Sequence, residues 1–212
     1  VQTAIMNGRP VRSLVHDDQG TRYAIKMQRA DVLGEAAHRA FAREGAQARA
    51  LVHEHVVRVF ESGIADGRAY LVMEHVNGVT LEAELIRRRR EMEGVPVSLV
   101  RGWTRQLGQG IQALHDAGLV HRDLKPSNIM VHGPDWRMKV LDLGLVHDAA
   151  VAEEDLTTLG RVKGTTAYMS PEQAAGERVG PPSDVFALCT LVFELLTGVR
   201  PWLQNTAGGM LM

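Results

Sequence analysis

The chain has 212 residues, 45% hydrophobic and 23% charged, which suits one well-buried core or two modest ones and not a disordered chain. With 24 Lys and Arg against 25 Asp and Glu, net charge gives no reason to expect nucleic-acid or membrane-surface binding, so any anionic ligand must be held by local charge. The one cysteine, Cys189, excludes an internal disulfide and points to a reduced, cytosolic setting with a buried, inert thiol, while Glu194 breaks the best candidate for a membrane span.

In chain order, "TRYAIKM" (residues 21–27) alternates as a strand. Residues 31–50 are alanine-rich and read as a helix capped by Asp31. "HVVRVFESG" and "AYLVMEH" alternate again, and the turn-rich "IADGR" between them predicts an antiparallel hairpin. After "VNG" the pattern turns helical. Residues 80–90, 98–117 and 183–197 are the helix candidates, the second with Ser98 as N-cap and Gly118 past its end, the third with Ser183 as N-cap, then Gly198 and Pro201. The short strands "NIMV" and "MKV" lie between the last two. Strands first and helices afterwards predict an α+β protein of two lobes, residues 1–76 and 77–212, joined near residues 76–78. The basic run at residues 87–90 reads as a solvated helix end.

The chemistry concentrates in "HRDLKPSN", residues 121–128, a polar loop between a helix and a strand. Asp123 can accept a proton, Lys125 can neutralise developing charge, and Asn128 offers an amide oxygen to a hard cation, with Pro126 stiffening the loop. Asp142, just after a strand and before Gly144, can aim a second carboxylate at the same point. Two oxygen ligands from two loops suit Mg²⁺, which takes few protein groups and fills its octahedron with water and phosphate oxygens. Lys125 beside Asp123 also admits a plain surface ion pair, worth at most ~1 kcal/mol. Only four lysines occur among 24 basic residues, Lys26, Lys125, Lys139 and Lys163, so lysine is kept where arginine will not serve.

"YAIK", "HRDLKPSN", "DLG" and "SPE", in this order, resemble the signature set of eukaryotic-type (Hanks-type) serine/threonine protein kinases, and "GTTAYMSPEQ" is most similar to the bacterial members. The resemblance implies a bilobal kinase fold, with a small antiparallel-sheet N-lobe carrying one helix and a mainly helical C-lobe that is incomplete here. It implies ATP and Mg²⁺ as cofactors and protein Ser/Thr hydroxyls as acceptors. Lys26 would hold the α/β-phosphates and pair with Glu44 of "FAREG"; Asp123 would take the hydroxyl proton, Lys125 would steady the transferring group, and Asn128 and Asp142 would bind the metal. Val11 would border the nucleotide, Ala24 and Met130 would close on the adenine, Met73 would stand behind it, and the backbone from Glu74 to Val76 would bond its edge. Met73 and Met130 serve equally well as ordinary core.

His121 is expected to pack behind the loop, and Asp184 to brace it from below. The segment after Asp142 has the texture of an activation loop, with Thr157 and Thr158 as phosphosites, Thr165 as a Ser/Thr-kinase mark and Arg122 as the receiver of the added phosphate. Thr157 and Thr158 can equally be capping or solvating residues. Autophosphorylation implies transient self-association. Two departures stand against the pattern. Of the glycines of the phosphate loop only Gly8 of "AIMNGRPV" is present, and the family's Glu172 is buried against an arginine that would lie past the end of this chain, so Glu172 is expected to lack its partner and the segment to be marginally stable. A pseudokinase-like binding or scaffold module is the alternative class.

Overall fold

The computed structural model describes residues 11–16, 20–27, 35–65, 68–143 and 166–201. The N-terminal part is a four-stranded antiparallel sheet in the order β1-β2-β4-β3, built from β1 (Val11–His16), β2 (Arg22–Met27), β3 (Val59–Ala65) and β4 (Arg68–Glu74). β4 reads RAYLVME, and its alternation buries Ala69, Leu71 and Met73 on one face, as a half-buried strand requires. Helix α1 (Glu35–Ala50) lies against β3, with Phe41 and Ala48 in the core. Gly45 permits that approach, since a Cβ there would stand 2.5 Å from Ser62 Oγ. The expected cap at Asp31, and the phosphate loop around Gly8, lie outside the described residues.

The remainder is helical around a small second sheet, β5-β6-β7, formed by β5 (Gly78–Thr80), β6 (Ile129–His132) and β7 (Arg137–Val140). Helix α2 (Leu81–Arg90) starts where Thr80 Oγ1 accepts from the Ala83 N–H at 3.1 Å. Helix α3 (Val97–Asp116) buries Trp103, Leu107, Ile111 and Leu114, spaced to line one face. That face meets β7 and helix α5 (Pro181–Thr197), whose Ala187, Leu191 and Leu195 are buried; a single-turn helix α4 (Pro171–Ala174) precedes α5. The two parts are stitched by a parallel bridge. Val57 N–H donates to Val140 O at 2.8 Å and Val140 N–H to His55 O at 2.9 Å, while His55 Nδ1 lies 3.0 Å from Met138 O.

Four local expectations are corrected. α3 begins at Val97 with Pro96 as its cap, because the Pro96 carbonyl already accepts from Val100 N–H at 3.0 Å, leaving Ser98 inside the first turn. α5 begins at Pro181 after Gly180: proline suits the first helical turn, so Ser183 is the third helical residue and not the cap. Cys189 is exposed, since the helical period sets it opposite the buried face of Ala187, Leu191 and Leu195. Glu172 is half-buried and not without a partner: the Ser183 hydroxyl donates to its carboxylate, which holds the Glu172 carboxyl below the usual range.

Candidate active site

The two sheets meet at a cleft of about 270 Å³ lined by Ala24, Val57, Met73, Glu74, Val76, Gly78, Met130, Leu141 and Asp142, with His75 beside them. Most of these walls are apolar, with Glu74, His75 and Asp142 the polar groups among them, the usual composition of a small-molecule site. Ala24 is paired with Met73 across β2 and β4, and Met130 with Thr80 across β5 and β6, so both sheets contribute opposed walls. Gly78 makes the join tight. A Cβ there would lie 2.2 Å from Val131 O, so only a residue without a side chain lets β5 pair so closely with β6 at the cleft floor. Val11 pairs with Met27 at the end of β1, and its side chain lies outside the described residues.

Beyond the apolar walls stand two clusters of charge. In the first, Lys26 Nζ lies 3.4 Å from Asp142 Oδ1, both residues buried. Asp142 has φ 53, a left-handed conformation unusual for a residue with a side chain, and such strain collects at functional sites. In the second, Lys125 Nζ lies 2.7 Å from Asp123 Oδ2, and the Asn128 amide donates from Nδ2 to Asp123 O at 2.8 Å and to Asp123 Oδ2 at 2.9 Å. Both bonds leave from the nitrogen of that amide, so its oxygen is the end turned away from those two Asp123 acceptors. The Asn128 carbonyl in turn accepts from Leu141 N–H at 2.8 Å, which couples the first loop to the residue before Asp142.

Beneath the loop the bonds converge on one carboxylate. Asp184, 1% exposed, accepts from His121 N–H and Arg122 N–H, each at 2.8 Å, and stands 2.8 Å from His115 Nε2. His121 is fully buried, with Nε2 2.6 Å from Leu141 O. Arg122 has φ 65, and its carbonyl accepts from Gln173 Nε2 at 2.6 Å. Gln173 is itself held by a capping box with Ser170 at the start of α4.

The expected Lys26–Glu44 pair is corrected. Lys26 is matched to Asp142, and Glu44 stands 3.7 Å from an Arg122 guanidinium nitrogen. A buried charge takes the nearest opposite charge, and with Asp142 turned into the cleft that partner for Lys26 is Asp142. Thr157, Thr158 and Thr165 lie outside the described residues.

Several residues of the site escaped the sequence reading. Lys139 on β7 pairs with the Glu74 carboxylate at the junction of the lobes, His115 shares Asp184, and Gln173 holds the Arg122 carbonyl. Only Gln173 carried a local signal, because S-P-E-Q is a capping box by spacing. Among the described residues no three His, Cys, Asp or Glu side chains gather into a cage for a metal, and no helix is long and apolar enough to cross a membrane.

Comparison with known proteins agrees in direction. A family described as "Protein kinase domain" matches residues 8–210. Serine/threonine-protein kinase PknL of Mycobacterium tuberculosis is 42% identical over 153 residues, covering 72% of this chain and 36% of that protein. Serine/threonine-protein kinase PknB of Mycolicibacterium smegmatis is 35% identical over 193 residues, covering 86% of this chain and 29% of that protein. The chain therefore spans about a third of the length of these curated relatives. The crystal structure of the PknI kinase domain of Mycobacterium tuberculosis, solved as a point mutant, superposes with a TM-score of 0.74 over 95% of this chain and 74% of that one; at 24% identity the likeness shows the bilobal fold.

Proposed function

The chain belongs to the protein kinase domain family, and from that premise we propose that this segment transfers the γ-phosphoryl group of Mg²⁺-bound ATP to Ser or Thr hydroxyls of proteins. The single observation that carries the reading is the loop in which Asp123 is held by Lys125 at 2.7 Å and by the Asn128 amide at 2.9 Å, beside a cleft that ends on Lys26 and Asp142.

The residues present fit the two cofactors. Ala24, Met73 and Met130 give apolar surface for a purine between the sheets, and the Asn128 amide oxygen and the Asp142 carboxylate are hard oxygen donors of the kind Mg²⁺ prefers. Bound together, ATP and Mg²⁺ supply the phosphoryl group and the positive charge that offsets its developing negative charge. Lys26 adds a second positive charge at the same end of the cleft. Asp123 orients the acceptor hydroxyl and takes its proton on a carboxylate oxygen, while the Lys125 ammonium at 2.7 Å keeps that carboxylate in place and faces the group in transit. The one cysteine supports a reduced, cytoplasmic setting for the segment.

Regulation belongs to the same reading. A phosphate on Thr157 or Thr158, with a charge near −2, is a stronger partner for Arg122 than the single carboxylate of Glu44 at 3.7 Å. Arg122 would hold that phosphate and so order the loop that carries it. Autophosphorylation between two copies would supply that phosphate.

Incubation of the protein with Mg²⁺ and ATP plus a Ser/Thr-rich acceptor protein, followed by mass spectrometry, tests the reading. Phosphate is expected on the acceptor and on Thr157 or Thr158, and none with Asp123→Asn, whose nucleotide affinity by calorimetry stays within about threefold of the parent because the acid acts on the acceptor. Wild-type turnover in Asp123→Asn would remove that residue from its role. A fully active preparation without phosphate at either threonine would remove the regulatory step.

A further inference from the structure

A second charged cluster lies at the far end of α5, outside the machinery described above. Glu194 is 1% exposed along its side chain, and three groups converge on its carboxylate. The Tyr168 hydroxyl donates to Oε2, Arg89 Nη2 donates to Oε1 at 2.5 Å, and Arg200 Nε donates to Oε1 at 3.3 Å. Burial, then the neighbouring carboxylate, push the Tyr168 hydroxyl up, so it remains a neutral donor. One negative charge thus faces two positive ones. The arginines are not sealed in: Arg89 is 48% and Arg200 28% exposed along the side chain, and the Arg200 guanidinium is fixed 5.5 Å from the centre of the Tyr168 ring.

Tying α2 to α5 through Glu194 needs one arginine. The second leaves the surface cationic. Of the carboxylates of α2 and its end, Glu84, Glu91 and Glu93 are engaged by Arg87 and Arg88, and Glu82 sits in the first turn, seven residues before Arg89. Each guanidinium has five N–H donors in a planar fork suited to an oxyanion, and Glu194 takes one nitrogen of each.

The cluster is also in reach of the acceptor. Tyr168 is two residues before Ser170, which caps α4 with Gln173, and Gln173 holds the carbonyl of Arg122, next to Asp123. α5 itself runs from Asp184, bonded under the catalytic loop, to Glu194 ten residues later, about 15 Å of helical rise. An extended peptide covers that in about four or five residues.

We propose that Arg89 and Arg200, set in place by the buried Glu194, form an anchor for an anionic side chain of the protein substrate about four or five residues from the accepting hydroxyl. The proposal rests on the kinase reading and names its substrate preference: acidic or already phosphorylated segments, with basic residues disfavoured at that position.

The test uses decapeptides with a single Thr in an Ala/Gln background, carrying Glu, Gln, Arg or phosphoserine at each position up to five residues on either side. Transfer is read as kcat/KM, and binding separately by fluorescence anisotropy. One position is expected at which Glu exceeds Gln about tenfold, the size of one charge-assisted hydrogen bond, with Arg below Gln. In Arg89→Glu the order of Glu and Arg there reverses, the Gln peptide serving as reference within each variant and a thermal melt confirming the fold. A phosphoserine peptide that exceeds Glu supports the same anchor with primed substrates as its source. No position preferring Glu, or a preference that survives Arg89→Glu combined with Arg200→Ala, overturns it. If no peptide is phosphorylated while the anisotropy preference persists, the kinase reading fails and the anchor stands.

Discussion

Asp184→Asn tests how much the loop that carries Asp123 depends on one buried carboxylate. Asp184 accepts from Arg122 N–H on Oδ1 and from His121 N–H on Oδ2, each at 2.8 Å, and Oδ2 also lies 2.8 Å from His115 Nε2. An amide has one accepting oxygen. Its better orientation keeps that oxygen at the Oδ2 position, toward His121 and His115, and turns the NH₂ group onto the Arg122 N–H, so a donor meets a donor. The loss is one charge-assisted bond and one stranded buried N–H, about 2–4 kcal/mol. For a chain of this size that lowers the melting midpoint by about 5–15 °C. The Arg122 peptide, held at φ 65 against its own preference, then relaxes and moves Asp123 with it. A misplacement of about 1 Å costs on the order of 10²-fold in rate. Thermal melts and steady-state transfer assays on the same preparation read both effects. A midpoint within 1 °C of the parent and turnover within twofold would refute the claim that Asp184 sets the loop geometry.

Lys26→Met removes the ammonium 3.4 Å from Asp142 and should lower transfer by at least about 10²-fold, read by phosphate incorporation; unchanged turnover would exclude Lys26 from the reaction. Gly78→Ala drives a Cβ to 2.2 Å from Val131 O, a backbone atom that cannot swing aside, so β5 must shift. A loss of roughly 1–3 kcal/mol in a urea melt is expected, together with weaker nucleotide binding by calorimetry, since Val76, Gly78 and Met130 line the cleft. Glu84→Gln has a pH signature. The Arg87 hydrogen bond, and then the Arg88 one, hold the Glu84 carboxyl below its ordinary range, so its contribution is full above the ordinary carboxylate pKa and is lost as pH falls through the lowered one. The variant should therefore unfold at lower urea than the parent at pH 7, by roughly 2 kcal/mol, and the gap should narrow and close as pH falls through the lowered pKa; a gap independent of pH would show that packing, not charge, is what Glu84 supplies.

The expectations that held and those that did not divide along a physical line. Gly118 and Gly198 adopt φ 73 and 76 just past α3 and α5, as helix-ending glycines do. These are decided by a residue and its immediate neighbours, so the linear order suffices. Ser98 and Ser183 had equally good cap chemistry and failed, because Pro96 and Pro181 start their helices earlier, and Ser183 instead spends its hydroxyl on Glu172, eleven residues back in the chain. Cys189 was assigned to the core from the apolar run around it, but the run is longer than one helix face is wide, and the packing against α3 decided which side is buried.

The sequence by itself determined the α+β division, the strand hairpins and the family, and named the candidate residues for its chemistry, because alternation, helical period and the spacing within "HRDLKPSN" are properties of neighbours along the chain. Which charge meets which was decided only in three dimensions. Lys26 faces Asp142 and not Glu44, Glu44 faces Arg122, and Arg89, Tyr168 and Arg200 meet on Glu194 from sites up to 105 residues away in the chain. Coulomb attraction and desolvation act over a few ångströms of space and are blind to sequence separation, so the partner of a buried charge follows from the packing of helices and sheets around it.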